Sequence, residues 1–244
     1  MKLMLKTISL VLGICVGLLA CRTAQVAGGA MLVNSVVVGQ LEVNCYIVSD
    51  GHGPDALIID PGDDHERIAE YIDKGGLKPK YIVLTHAHYD HVCAAGDLHK
   101  KYGIPIVMHE DEKMTYEMTK KLCISWGFSP EDFPHDFQTV KEGDKITVGS
   151  LSLEVIHTAG HTPGCICLYG NRTVFTGDTL FKGSVGRTDL PGGNTKRLMD
   201  SLKKLTALPP ETRVLCGHGE ETTIGQELKS NPYLNEKFRL KLYQ

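Results

Sequence analysis

The chain has 244 residues, 42% of them hydrophobic and 23% charged, which suits one sizeable globular core and rules against a disordered chain. Its formal net charge is −3, and because Lys2 and Lys6 are the only charged residues among the first 21, the remainder is more acidic still. That balance argues against nucleic acid as a partner.

Residues 1–21 stand apart. Lys2 and Lys6 precede an apolar run from Ile8 to Ala20, the charge-then-hydrophobe order of a secretory signal, too short to span a bilayer comfortably. Leu18-Leu19-Ala20-Cys21 resembles the lipobox of bacterial lipoproteins, so lipid on Cys21 and attachment to the cell envelope are expected. The alternative is a start at Met31, where domain-like sequence begins, and a cytoplasmic protein. The six cysteines of the body show no zinc-finger spacing, and Cys165 and Cys167 would lie on one strand face near the upper limit for a bridge. They read as small buried hydrophobes, and free thiols favour a reducing compartment, against the lipobox.

After an Ala/Gly linker at 22–30, the domain of 31–244 opens with strand-like runs at Val33 to Val38, Cys45 to Val48 and Ala56 to Ile59, an expected β-meander. Asp60-Pro61-Gly62 reads as a turn, and Asp63 with Glu66 as a capping box for a helix whose Ile68, Tyr71 and Ile72 share a face, ended by Gly75-Gly76. The run Tyr81 to Leu84 is a buried strand, and a helix near Leu98 to Tyr102 and a strand Ile104 to Met108 complete a βαβ-like half. Residues 111–137 form a mostly helical, Met- and aromatic-bearing excursion, read either as a lid or as an ordinary packed insertion. Strands follow at Ile146 to Val148, Leu151 to Ile156, Ile166 to Tyr169 and Thr173 to Phe175, with Gly170-Asn171 as the hairpin turn. Asn194 caps a helix running to about Ala207, Val214 to Cys216 is a last strand, and a helix is expected near Thr223 to Leu228. Two β-rich halves carrying helices suggest two face-to-face sheets with helices outside.

The stretch Leu84 to Val92, LTHAHYDHV, gathers His86, His88, Asp90 and His91 immediately after a buried strand. Imidazole and carboxylate bind a borderline cation such as zinc without thiolate, and strand ends are where α/β proteins build sites. Further candidate ligands follow, each at a strand end: His161 in HTAGHTPG, Asp178 in FTGDTLF and His218 in CGHGE, with glycines that allow close backbone approach. His52, His65, His99, His109, His135 and His157 fall outside the set, although His157 precedes His161 by four residues.

In this order the seven positions resemble the metallo-β-lactamase superfamily, from about Met31 to the chain end. The resemblance implies an α/β domain, a four-layer αββα sandwich of two mixed sheets with helices on the outer faces and a dinuclear site at its edge. It implies that His86, His88 and His161 hold a first metal, that Asp90, His91 and His218 hold a second, and that Asp178 bridges, with Asp90 and Asp178 as the carboxylates of the catalytic centre. The cofactors implied are two divalent ions, zinc first and iron or manganese otherwise, sharing a hydroxide that attacks a polarised carbonyl.

Residues 175–193, FTGDTLFKGSVGRTDLPGG, and 223–234, TIGQELKSNPYL, further resemble compact bacterial glyoxalase II-like thioester hydrolases, without the helical C-terminal region of the long glyoxalase II. The implied activity is hydrolysis of a small-molecule thioester, a hydroxyacylglutathione such as S-D-lactoylglutathione first. Where that enzyme places a lysine on glutathione this chain has Arg187, which could hold a carboxylate bidentately, with Lys182 as runner-up; where it has a tyrosine this chain has Asp189. A thiolate leaves without a strong general acid, whereas a β-lactam amide demands one. Two alternatives stand beside this reading: a persulfide dioxygenase working with a single iron, and a non-catalytic metal-binding envelope protein.

Overall fold

Successive side chains of a strand point to opposite faces, so the continuous apolar runs of β2 and β3 in the first half have two faces to bury. In the computed structural model, which describes residues 30–234, β1 (Leu32–Val38), β2 (Val43–Ser49) and β3 (Asp55–Ile59) form the expected antiparallel meander. Helix α1 (His65–Lys74) leads to β4 (Lys78–Val83), parallel to β3. A single turn α2 (Tyr89–Val92) and α3 (Ala95–Tyr102) lead to β5 (Ile106–His109). A 3-10 turn at Glu110–Glu112 and α4 (Lys113–Ser125) lead to β6 (Phe137–Val140), and β4, β5 and β6 run parallel. These six strands form one sheet in chain order.

The second sheet is built from β7 (Lys145–Val148), β8 (Leu151–His157), β9 (Ile166–Gly170) and β10 (Thr173–Gly177), and after a small hairpin of β11 (Leu180–Phe181) and β12 (Ser184–Val185), α5 (Thr195–Thr206) leads to β13 (Arg213–Cys216) and β14 (Thr222–Thr223). Its order is β14-β13-β10-β9-β8-β7, with β13 parallel to β10, and α6 (Ile224–Ser230) follows.

Burial follows the alternation. Tyr46, Val48, Leu57 and Ile59 face Val155, Leu168, Phe175 and Leu215 across the two sheets, while Cys45, Ile47 and Ile58 point outward to α1, α3 and α4. The outer face of the second sheet, Cys167, Val174, Val214 and Cys216, packs on Leu198, Leu202 and Leu205 of α5. The result is the four-layer αββα sandwich expected from the sequence.

Several local expectations change. The hairpin turn is Asn171-Arg172, one residue later than expected: Thr173 pairs with Gly170, and Asn171 and Arg172 both take positive φ, 46° and 57°, as a type I′ turn requires. Gly170 instead belongs to the strand, where a Cβ would stand 2.7 Å from Ser152 O. No capping box starts α1: its N-cap is Asp64 at φ 51°, whose side chain accepts instead from Gly39 N at 3.1 Å. Tyr71 lies on the exposed side of that helix, and Ala69 takes the buried place beside Ile68 and Ile72. The Asn194 cap of α5 forms as expected, its side chain accepting from Arg197 N at 2.9 Å. All six described cysteines are free and buried, with Cys93 and Cys123 sulfurs 3.3 Å apart. No helix among the described residues is long and apolar enough to cross a membrane. The signal segment at 1–21, its Cys21, and the linker as far as residue 29 lie outside the described residues.

Candidate metal centre

Five of the ligand positions lie on loops that leave strand ends: His86 and His88 after β4, His161 after β8, Asp178 after β10 and His218 after β13. Asp90 and His91 sit on the single turn α2 that starts at the next residue after His88. An antiparallel bridge between Val43 and His218, with Asn44 N donating to Gly217 O at 2.8 Å, ties the two sheets at this edge. Bare backbone brings the loops together: a Cβ on Gly217 would stand 2.4 Å from Asp178 Oδ1, and one on Gly62 would overlap Asp90 O at 1.5 Å.

The seven side chains converge as two triads. Ligand atoms of His86, His88 and His161 lie within 4.8 Å of one another, as do those of Asp90, His91 and His218. His88 Nδ1 is 2.8 Å from His161 Nε2, and His218 Nε2 is 3.2 Å from Asp90 Oδ2. Asp178 lies between the triads: its Oδ2 is 3.6 Å from both His161 Nε2 and His218 Nε2, and its Oδ1 is 3.3 Å from His91 Nε2.

Two atoms test whether cations fit. Among the described residues, His86 Nε2 and Asp178 Oδ1 are buried without a hydrogen-bond partner, a costly condition that a metal ion relieves directly. Five imidazoles and two carboxylates are also the donor set that suits zinc or iron.

The far nitrogen of each outward-reaching imidazole is held. His161 Nδ1 donates to Arg187 O at 2.7 Å and His218 Nδ1 to Leu41 O at 2.8 Å. His91 Nδ1 donates to Asp60 Oδ2 at 3.0 Å, and Asp60 also accepts from Thr85 N at 2.7 Å and Thr85 Oγ1 at 2.6 Å. Such contacts fix the tautomer and ring orientation of a ligating histidine. The sequence reading took Asp60 for a turn residue; its 2% exposure and positive φ of 52° mark it as a supporting group.

Charge is distributed unevenly. Burial holds His86 well below the ordinary imidazole value and pulls His88 down to about 4, and burial lowers His161 too, so this triad is neutral and ready to ligate. Burial opposes the charge on His91 and His218 as well, but Asp178 and Asp60 around His91, and Asp90 beside His218, raise both. Asp90 falls to about 2 because the His218 hydrogen bond and His91 outweigh burial.

A cavity of about 670 Å³ opens over both triads. Met118 and Leu122 of α4, Leu41, Leu190 and Pro191 line its walls, with Tyr89 and Arg187 at its polar points. The 111–137 excursion therefore does two things: Tyr116, Cys123 and Phe133 join the core, while α4 presents its other side to the cavity. The Arg187 guanidinium is gripped by Asp189 through two bonds of 2.7 Å. Lys182 pairs with Glu220 and is not among the lining residues. His157 stays out of both triads: its Nε2 donates to Pro163 O at 2.9 Å and its ring stacks on His109 at 3.9 Å and 19°.

Residues 38–218, three quarters of the chain and every ligand position, match the family model described as the metallo-beta-lactamase superfamily. The chain belongs to the metallo-beta-lactamase superfamily. Within it, the chain is 38% identical over 204 residues to the probable metallo-hydrolase YqgX of Bacillus subtilis, covering 81% of this chain and 95% of that one. It is 37% identical over 212 residues to the hydroxyacylglutathione hydrolase GloC of Haemophilus influenzae, covering 85% and 100%. The di-iron-bound form of TTHA1623 matches at 41% identity with a TM-score of 0.76, over 83% of this chain and all of that one. Superfamily membership, the paired triads and a relative holding two irons together fit two divalent ions at this centre.

Proposed function

We propose that the protein hydrolyses thioesters, with hydroxyacylglutathiones such as S-D-lactoylglutathione as the first candidates. The observation that carries this reading is what the cavity lacks. Apart from the ligand side chains, the lining residues with exchangeable protons are Tyr89, Thr115, Thr119 and Arg187, and burial followed by the Asp90 charge raises the Tyr89 phenol above its ordinary value. No lining group outside the triads is thereby tuned to act as a general acid near neutrality. A thiolate, with a solution pKa near ~8.5, leaves without one, whereas an amide nitrogen does not.

Two divalent ions at such a centre supply Lewis-acid polarisation of the carbonyl and a nucleophile from water near neutral pH. The chain's own residues supply the rest. The neutral triad presents ligand lone pairs without first losing protons. Met118, Leu122 and Leu190 exclude water from one arm of the substrate. Arg187, at the cavity rim, offers the positive charge on which a carboxylate of the thiol carrier can rest. The name of the Haemophilus relative supports glutathione as that carrier.

The test is metal analysis of protein purified without added metal, combined with a panel of thioesters. Two metals per chain with thioester turnover supports the proposal. A single iron with oxygen consumption on a persulfide would move the protein to the dioxygenase reading, and metal without turnover on any substrate would make it a binding protein. For location, we propose export with lipid on Cys21, motivated by Lys2, Lys6 and LLAC; Cys21→Ser should then release the protein from membranes, and wild type that fractionates as soluble, starting at Met31, would end that reading.

A further inference from the structure

One fully buried carboxylate has no place in the chemistry above. Glu112 closes the 3-10 turn before α4, is 0% exposed, and forms no ion pair among the described residues. Its Oε2 accepts from Ala87 N at 2.9 Å, and Ala87 lies between His86 and His88. Its Oε1 accepts from Gly164 N at 2.7 Å and from the Thr162 hydroxyl, both on the loop that carries His161. About two helical turns further along, Thr119 Oγ1 donates to Ala87 O at 2.6 Å, so both polar groups of Ala87 are held by the same segment.

Two features show that this contact is built. A side chain on Gly164 would bring its Cβ within 2.6 Å of Glu112 N and 2.7 Å of Glu112 Cγ, so only glycine lets the loop close on the carboxylate. A carboxylate is also the group that accepts from three donors while donating nothing, which neither an amide nor a hydroxyl does. Burying it is unfavourable unless such bonds are all made.

We infer that Glu112 is a positioning residue that sets the distance between the His86/His88 loop of the first sheet and the His161 loop of the second, and thereby the affinity of the first metal site alone. This rests on the two-metal reading. The second triad has a different support, Asp60 for His91 and Leu41 O for His218. Loss of the Glu112 bridge therefore spares it.

Glu112→Gln keeps the shape but puts an NH₂ against a backbone N–H whichever way the amide turns. The experiment titrates metal-free protein with zinc against a chromophoric chelator in two single-site backgrounds. His218→Ala leaves the His86, His88 and His161 site, and His161→Ala leaves the Asp90, His91 and His218 site. Adding Glu112→Gln should weaken zinc binding about tenfold to a hundredfold in the first background, the range seen for groups that support metal ligands, and leave the second unchanged within about twofold. Thr162→Val removes one donor to the same oxygen without disturbing the backbone, and covers the case in which Glu112→Gln does not fold; it should give a smaller weakening, roughly threefold, again in the first background only. Equal weakening in both backgrounds, or none in either, overturns the inference and makes Glu112 a general packing support. Wild type that takes up no zinc overturns the two-metal reading along with it, whereas wild type that binds two ions with unselective variants overturns the inference alone.

Discussion

Replacing Asp178 with Asn preserves shape and one oxygen while removing one of the two carboxylate charges among the seven candidate ligands, Asp90 being the other, with Asp60 behind His91. Its oxygens lie 3.3 to 3.6 Å from nitrogens of His91, His161 and His218, so it touches both triads where Asp90 touches only one. With neutral imidazoles as the remaining ligands, two dications would then face a single negative side chain. A group that merely orients a ligand costs about tenfold to a hundredfold in metal affinity when removed. A charge placed between two cations should exceed that, and a loss of turnover of roughly a hundredfold or more, about 2.7 kcal/mol, is expected on the scale of removing a main electrostatic stabiliser. The ion of the Asp90, His91 and His218 triad should be lost first, because Asp178 approaches two members of that triad, His91 at 3.3 Å and His218 at 3.6 Å, and only one of the other, His161 at 3.6 Å. The fold should persist, as the three apolar clusters do not include Asp178. Metal stoichiometry, thioester turnover and far-UV circular dichroism on Asp178→Asn beside wild type check each part. Two metals retained per chain with near-normal turnover would refute the bridging role.

Arg187→Ala should raise KM for S-D-lactoylglutathione while moving kcat less, because the part of Arg187 that holds His161 is its backbone carbonyl, which survives the change. Asp189→Ala should act in the opposite direction, freeing a guanidinium now gripped by two 2.7 Å bonds; an unchanged KM in both variants removes Arg187 from substrate binding. Asp50 offers a pH test of stability. Backbone N–H groups of Ser150 and His52 hold its carboxyl down at about 2, joining the turn after β2 to the turn between β7 and β8. A depressed carboxyl stabilises the fold above its unfolded value of about 3.9 and loses that contribution as pH falls through about 2. Asp50→Asn should therefore lower Tm near neutrality and converge with wild type by about pH 2, and a constant difference across that range would show that charge is not involved.

Much of the architecture was legible because it is written locally. The unbroken apolar runs Cys45 to Val48 and Ala56 to Ile59 announce strands buried on both faces, and Asn194 with the apolar Leu198, Leu202 and Leu205 announces a capped helix; both are found. The ligands were legible for a similar reason. Each lies on the loop or short helical turn that follows a strand, and two adjacent sheets whose strands end at one edge bring those loops together. The hairpin turn was misplaced by one residue because glycine looked like the turn former, whereas Gly170 is needed for close approach inside the strand.

What stayed hidden is the support behind the ligands, and the reason is sequence separation. Asp60 reaches Thr85 and His91 across 25 and 31 residues, and Glu112 reaches Ala87, Thr162 and Gly164 across 25, 50 and 52. No window of local sequence contains both ends of any of these contacts. Helix α4 adds a second difficulty, because its apolar residues are split between the core, which takes Tyr116 and Cys123, and the opposite side. Met114, Met118 and Leu122 are exposed while Thr115 and Thr119 are buried. Periodicity expects apolar residues to face the core, yet here Met118 and Leu122 face the cavity and Thr119 faces the Ala87 carbonyl it must bond. On α4, Thr119 bonds the Ala87 carbonyl, Met118 and Leu122 line the cavity, and Tyr116 and Cys123 carry the helix into the core. Residues 111–137 therefore serve the site on two sides, bracing the loop of His86 and His88 through Glu112 and Thr119 and forming a wall of the cavity through Met118 and Leu122.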